Sequence, residues 1–202
     1  MISQQESVIG PTSTEIKAFS EVESLNGFPV GKRIPDFKTY NQDGEEIRIY
    51  NQLHEDQILI LSFCRGDWSQ SCKEKLESLQ DHYREITARG AEILAITPQN
   101  IATNNALYRE LDLDFNILCD PKLDIAHMFN IVWKLPENIQ QLYLEEYHLD
   151  IPNLNANESW HLPVPAIYLI NSAGEVLAKF EDVNYSKKME ISTILETLDL
   201  SQ

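Results

Sequence analysis

Cys72 carries the strongest chemical signal in the chain, in the run Arg65-Gly66-Asp67-Trp68-Ser69-Gln70-Ser71-Cys72. An apolar strand over Gln57 to Phe63 precedes this run, and an amphipathic helix is predicted to start near Lys73. A thiol at a strand-to-helix junction meets the unpaired first-turn N–H groups of the helix, and these favour negative charge. An ordinary cysteine thiol ionises at roughly pH 8.5, and a helix start with a nearby cation lowers that value. Arg65 could supply the cation, leaving Cys72 substantially ionised at neutral pH and able to act as a nucleophile.

Each residue also has a plainer role to weigh. A single cysteine in a first helical turn often only packs. Ser71-Cys72-Lys73-Glu74 has the form of a capping box, so a serine there could only cap the helix. Arg65 could be a surface cation paired with Asp67. Cys64 ends a buried strand, and Cys119 sits at a later strand end. Trp68 and Trp160 could wall a pocket around the thiol or fill gaps between loops and core. His54, His82, His127 and His148 form no constellation.

The elements that would position Cys72 alternate between strand and helix. Asp36 to Tyr40 and Ile47 to Tyr50 flank an Asn41-Gln42-Asp43-Gly44 turn and predict a hairpin. After the strand ending at Phe63, Leu76, Leu79, Tyr83 and Ile86 keep helical spacing through Arg89, and Gly90 stops the helix. A strand over Ala91 to Thr97 and a helix over Ile101 to Leu111 follow, which implies parallel pairing through a right-handed crossover. Phe115 to Cys119 is extended, and Asp120-Pro121 makes a turn. Helices are predicted over Leu123 to Phe129 and Pro136 to Leu149, with a loop over Asp150 to Asn157. Ala166 to Ile170 and Val176 to Phe180 form a second hairpin, and Lys187 to Leu198 a last helix. Residues 1–30, with a weak helical signal over Ser13 to Ser24, read as a polar arm, and residues 31–202 as one domain.

Composition narrows the function. A formal net charge of −16 opposes binding to nucleic acid or anionic membranes. No apolar run approaches the length of a membrane span, and the polar start lacks the pattern of a signal peptide, so a cytoplasmic location is expected. Three cysteines are too few and too scattered for a disulfide scaffold. No zinc-site spacing or His-Glu-x-x-His motif is present, so no metal or bound cofactor is expected.

The segment Phe63-Cys64-Arg65-Gly66-Asp67-Trp68-Ser69-Gln70-Ser71-Cys72 resembles the FYRGGWCPYC motif of a peroxiredoxin-like branch of the alkyl hydroperoxide reductase/thiol-specific antioxidant (AhpC/TSA) family. Ile34-Pro35-Asp36-Phe37 is similar to that family's APDF entry motif, Asp120-Pro121 to its SDP turn, and Trp160-His161-Leu162-Pro163-Val164-Pro165-Ala166 to WxLPxPA. Tyr168 to Gly174 looks like the YVID-x-x-G hairpin, and Val183-Asn184-Tyr185 like the stretch after it. The resemblance covers about residues 32–200.

It implies an α/β thioredoxin-like fold: a central mixed β-sheet flanked by helices, with an N-terminal β-hairpin extension. It also implies a thiol peroxidase in which Cys72 attacks a hydroperoxide and becomes a sulfenic acid, with Ser69 in the position of the PxxxTxxC threonine. The branch usually has a cysteine at Ser69, so the local CxxC partner is absent here. Resolution would then fall to Cys64, Cys119, a second subunit or an external thiol of the thioredoxin, glutaredoxin or glutathione type. Pro165 occupies the place of the arginine many peroxiredoxins carry and resembles the cis-proline that faces the cysteine in thioredoxins, leaving Arg65, then His161, as the site cation. A homodimer is expected from the resemblance alone. The alternative is a degenerate thioredoxin-fold module for binding or redox sensing. A third reading, a reductase of carbonyl or endoperoxide substrates, rests on analogy.

Overall fold

The computed structural model of the chain describes residues 25–181 and 191–200. The helical signal over Ser13 to Ser24, the Val183-Asn184-Tyr185 match and the start expected for the last helix lie outside the described residues.

Strand β3 (Ile58–Phe63) is buried along its whole length because a sheet neighbour flanks it on each side and a packed layer covers each face. Strands β4 (Ala91–Thr97) and β5 (Asn116–Cys119) extend the sheet in parallel on one side. On the other side β8 (Ala166–Ile170) runs antiparallel to β3, and β9 (Val176–Glu181) antiparallel to β8. The order β5-β4-β3-β8-β9 is the mixed sheet of a thioredoxin-like fold. A small hairpin of β1 (Lys38–Tyr40) and β2 (Glu46–Arg48) precedes it, as the turn residues predict.

Alternation along β3 divides the interior. Leu59, Leu61 and Phe63 face one apolar cluster with Phe129 and Tyr168. Ile58, Ile60 and Cys64 face the other, where helix α1 (Gln70–Asp81) contributes Cys72, Leu76 and Leu79 and α7 (Ile191–Leu200) contributes Ile194 and Leu198. Helices α2 (Tyr83–Ala88), α3 (Ile101–Glu110), α4 (Asp124–Met128) and α5 (Glu137–Glu145) complete the layers.

Two local expectations need correction, and one ribbon was not foreseen. The helix expected to run unbroken to Arg89 divides at His82, whose backbone leaves helical geometry (φ −103°, ψ 8°) while its ring Nδ1 lies 2.9 Å from the Ser78 carbonyl oxygen. The loop expected over Asp150 to Asn157 contains a short helix, α6 (Ile151–Leu154), with Pro152 in its first turn and the Asp150 side chain accepting the Asn153 N–H. Strands β6 (Val132–Lys134) and β7 (His161–Pro163) pair into a ribbon that is too short to show a hydrophobic period. This ribbon and α5 and α6 enclose a third apolar cluster around Leu135, Ile139, Tyr143 and Leu162.

The described end of the N-terminal arm is part of the fold. The Phe28 N–H donates to the Tyr168 hydroxyl at 3.2 Å, and Gly31 N–H to the Val176 carbonyl at 2.8 Å. The Phe28 ring lies 5.3 Å from that of Phe129.

Candidate active site

The chain leaves β3 without losing contact with the sheet, since the Cys64 N–H still donates to Ile96 O at 2.8 Å. Gly66 then takes φ +132°, and a Cβ there would meet Trp68 Nε1 at 2.8 Å and Gln99 Cδ at 3.0 Å. A glycine is needed for both reasons. Ser69 is the extended N-cap residue of α1, and its carbonyl accepts the Cys72 and Lys73 N–H groups at 3.0 and 3.1 Å. The helix therefore starts three residues before Lys73, and Cys72 is the third residue of its first turn.

Cys72 is buried, with 1% of its surface exposed. Its Sγ accepts the Arg65 backbone N–H at 3.2 Å, and the Cys64 thiol stands beside it. The S–H of Cys64 acts most strongly to lower the Cys72 pKa, against the opposing effect of burial; the Lys75 charge, the Arg65 N–H and the Arg65 charge follow. Cys64 is pushed well above the ordinary thiol range by donating to Cys72 and by burial. The pair shares one proton, and it belongs on Cys64. Cys72 has the helix start and the Arg65 N–H, whereas Cys64 has the Ser62 hydroxyl 4.0 Å away.

Arg65 is buried, so it is not a loop cation exposed to solvent. Asp67 instead engages Gln99: its N–H donates to Gln99 Oε1 at 2.9 Å, and its carboxylate accepts from Gln99 Nε2 at 2.6 Å. Neither serine caps α1 as expected. Ser71 is already inside the helix, and the Ser69 hydroxyl, which makes no capping bond, lies 3.2 Å from Ser71 Oγ.

Trp68 donates from Nε1 to Asn155 Oδ1 at 3.0 Å and packs edge-on against Tyr143. It joins Trp160 in packing against the third apolar cluster, and the Trp68 ring fastens the loop to the α5–α6 unit. His161 lies on β7 opposite Lys134, and its pKa is lowered by burial and by the charges of Lys134 and His127. The expectation of His161 as a cation is thus corrected. Pro165 sits one position beyond the last β3–β8 pair, Phe63 with Ala166, and so opposite Cys64. None of the described peptide bonds is cis, which overturns the cis bond expected at Val164-Pro165.

Cys119 does not join the site. The register runs from Phe63 through Ile96 to Leu118, so Cys119 lies two strands from Cys64, about 10 Å away at ordinary strand spacing. A disulfide needs its Cα atoms within about 7 Å. Cys119 Sγ instead accepts from Asn104 Nδ2 at 3.3 Å, and burial raises its pKa.

Lys75 and Gln99 were missed in the sequence. Lys75 lies three positions after Cys72, where a helix brings side chains to one face, so its spacing was a usable signal. Gln99 follows the carboxyl end of a parallel strand, where sites of such sheets gather. No group of three or more His, Cys, Asp or Glu side chains suited to a metal is found among the described residues, and no helix there is long and apolar enough to cross a membrane.

A cysteine in the first turn of the helix after the central strand of a thioredoxin-like sheet is the arrangement of thiol redox proteins of that fold. Residues 30–179 match the model of the AhpC/TSA family, and the chain belongs to that family, that of the peroxiredoxins. A Helicobacter pylori protein named "Putative peroxiredoxin bcp" (strain J99) is 24% identical over 169 residues, which is 84% of this chain and 97% of that protein. The structure is similar to that of peroxidoxin BcpB from Mycobacterium tuberculosis (TM-score 0.69, 16% identity, covering 87% of this chain and 99% of that one). It is also similar to a yeast mitochondrial 1-Cys peroxiredoxin (TM-score 0.65, 12% identity, covering 85% and 75%) whose thiol resolution is described through glutathione/thioredoxin systems.

Proposed function

We propose that the chain reduces hydrogen peroxide or organic hydroperoxides through Cys72, with electrons returned by an external thiol of the thioredoxin, glutaredoxin or glutathione type. The observation that carries this reading is the Cys72 sulfur in the first turn of α1, accepting the Arg65 N–H at 3.2 Å. Cys72 S⁻ attacks one peroxide oxygen, an S–O bond forms as the O–O bond breaks, and the departing oxygen takes a proton to leave as water or alcohol. Donors at the helix start and the Ser69 hydroxyl stabilise the charge that develops on that oxygen. With Cys72 1% exposed, the residues packed around it must yield for a peroxide to reach the sulfur.

Intact mass after stoichiometric hydrogen peroxide, with and without a sulfenic-acid trap, tests this beside Cys72→Ser. An oxidation product that forms quickly and is lost in the variant supports the reading. Reaction no faster than that of free cysteine overturns it in favour of a fold that binds or senses without turnover.

A further inference from the structure

We infer that Cys64 resolves Cys72: the two thiols, on the last turn of chain out of β3 and the first turn of α1, close a reversible disulfide within one chain. The inference rests on the peroxidase reading and supplies the partner that Ser69, standing in place of a cysteine, does not provide.

The geometry comes from the backbone. Arg65 N lies 3.2 Å from Cys72 Sγ, and two covalent bonds separate that nitrogen from the Cys64 Cα. Ordinary bond lengths therefore place the Cys64 Cα within about 6 Å of the Cys72 sulfur. The Cys64 side chain points to the same side of the sheet as Ile58 and Ile60, into the cluster that contains Cys72. Both residues are buried, at 0% and 1% exposure, so the reaction between them is shielded from competing solutes. Cys119, the remaining thiol, is two strands away on Asn104.

The chemistry balances in two steps. The hydroperoxide oxidises Cys72 S⁻ by two electrons to S–OH and, with one proton, leaves as water or alcohol. The Cys64 sulfur then displaces hydroxide from Cys72; an S–S bond forms, the S–O bond breaks, and the Cys64 proton leaves with the hydroxide as water. A dithiol reductant restores both thiols and is itself oxidised to a disulfide. Timing follows from proton sharing: Cys64 is held protonated while Cys72 is a thiolate, and conversion of Cys72 to S–OH removes that restraint.

Trypsin makes the test direct, because cleavage after Arg48, Arg65 and Lys73 leaves Cys64 in peptide 49–65 and Cys72 in peptide 66–73. The reduced protein is treated with one equivalent of hydrogen peroxide, alkylated and digested, alongside a sample oxidised by diamide. The expected result with peroxide is a protein lighter by about 2 Da with peptides 49–65 and 66–73 joined. In Cys64→Ser, dimedone-trapped sulfenic acid at Cys72 should replace the link. A wild-type protein that accumulates sulfenic or sulfinic acid at Cys72 without the link overturns the inference and leaves the peroxidase reading standing. If peroxide does nothing, the peroxidase reading fails, and the diamide sample decides the pair: the joined peptides keep it, and their absence ends it. These outcomes are read in the wild-type protein, so they do not depend on the variant folding.

Discussion

The Arg65 backbone N–H points at the Cys72 sulfur from 3.2 Å, and this bond survives replacement of the Arg65 side chain by any residue but proline. Lys75 and Arg65 add their charges to it, Lys75 more strongly. Lys75→Gln should therefore raise the pH midpoint of Cys72 alkylation from about 5 and slow the reaction at pH 5 by roughly two- to tenfold, with little change at pH 7. Monobromobimane labelling across pH, with Cys72→Ser as blank, measures this. A midpoint unchanged in Lys75→Gln would remove Lys75 from the site.

Gln99 and Asp67 exchange two hydrogen bonds in a place where Gln99 is fully buried. Gln99→Ala leaves the Asp67 N–H and carboxylate to find other partners and should cost about 1–3 kcal/mol of unfolding free energy. It should also speed Cys72 alkylation at fixed pH, because the loop whose Arg65 N–H holds the sulfur loses a tether. Urea unfolding and thiol kinetics on the same variant check both. Slower labelling would mean that the tether holds the site open.

At Gly27, φ is +54°, and an added Cβ would stand 1.5 Å from Glu181 Oε1, which accepts the Tyr168 hydroxyl at 2.9 Å. Gly27→Ala should destabilise the fold by about 1–3 kcal/mol, from left-handed backbone strain together with displacement of Glu181. Thermal unfolding beside Tyr168→Phe separates the two contributions, since the phenylalanine removes the hydroxyl without touching the backbone.

Asp120 accepts the Ile125 and Ala126 N–H groups at 3.1 and 2.9 Å, yet burial dominates and raises its pKa from 3.8 to about 6. With the folded value above the unfolded one, the folded state holds the extra proton between those pH values. The contribution is present below about pH 4 and is lost as pH rises through 6, with an upper size of roughly 3 kcal/mol. Asp120→Asn should flatten that part of the stability profile, which urea unfolding at pH 4, 5, 6 and 7 would show.

The core strands were legible because they announce themselves locally. Ile58 to Phe63 and Ala166 to Ile170 are continuous apolar runs between turn residues, and the structure places both at the centre of the sheet. Cys72 was legible for the same reason, since a strand-to-helix junction can be read along the chain. Its neighbours were not. Cys64 looked like the end of a strand, and only the return of α1 over β3 sets it beside Cys72. Gln99 and Asn155 reach the 66–69 loop from 32 and 87 residues away, through contacts with no sequence period. His161 and Pro165 were assigned by resemblance, and local burial and backbone geometry gave them different characters.

The central strand also sets an order of events for a chain being synthesised. Strand β3 gains β4 as a neighbour soon after it is made, but its other neighbour, β8, follows about a hundred residues later. Until Ala166 to Ile170 emerge and dock, one edge of β3 stays open, and Cys64 lacks the strand that passes Pro165 opposite it. Cys64, Lys75 and Arg65, the groups that favour the Cys72 thiolate, are already made by then, and what arrives late is the apolar packing of Ile167 and Leu169 in the cluster that holds both thiols.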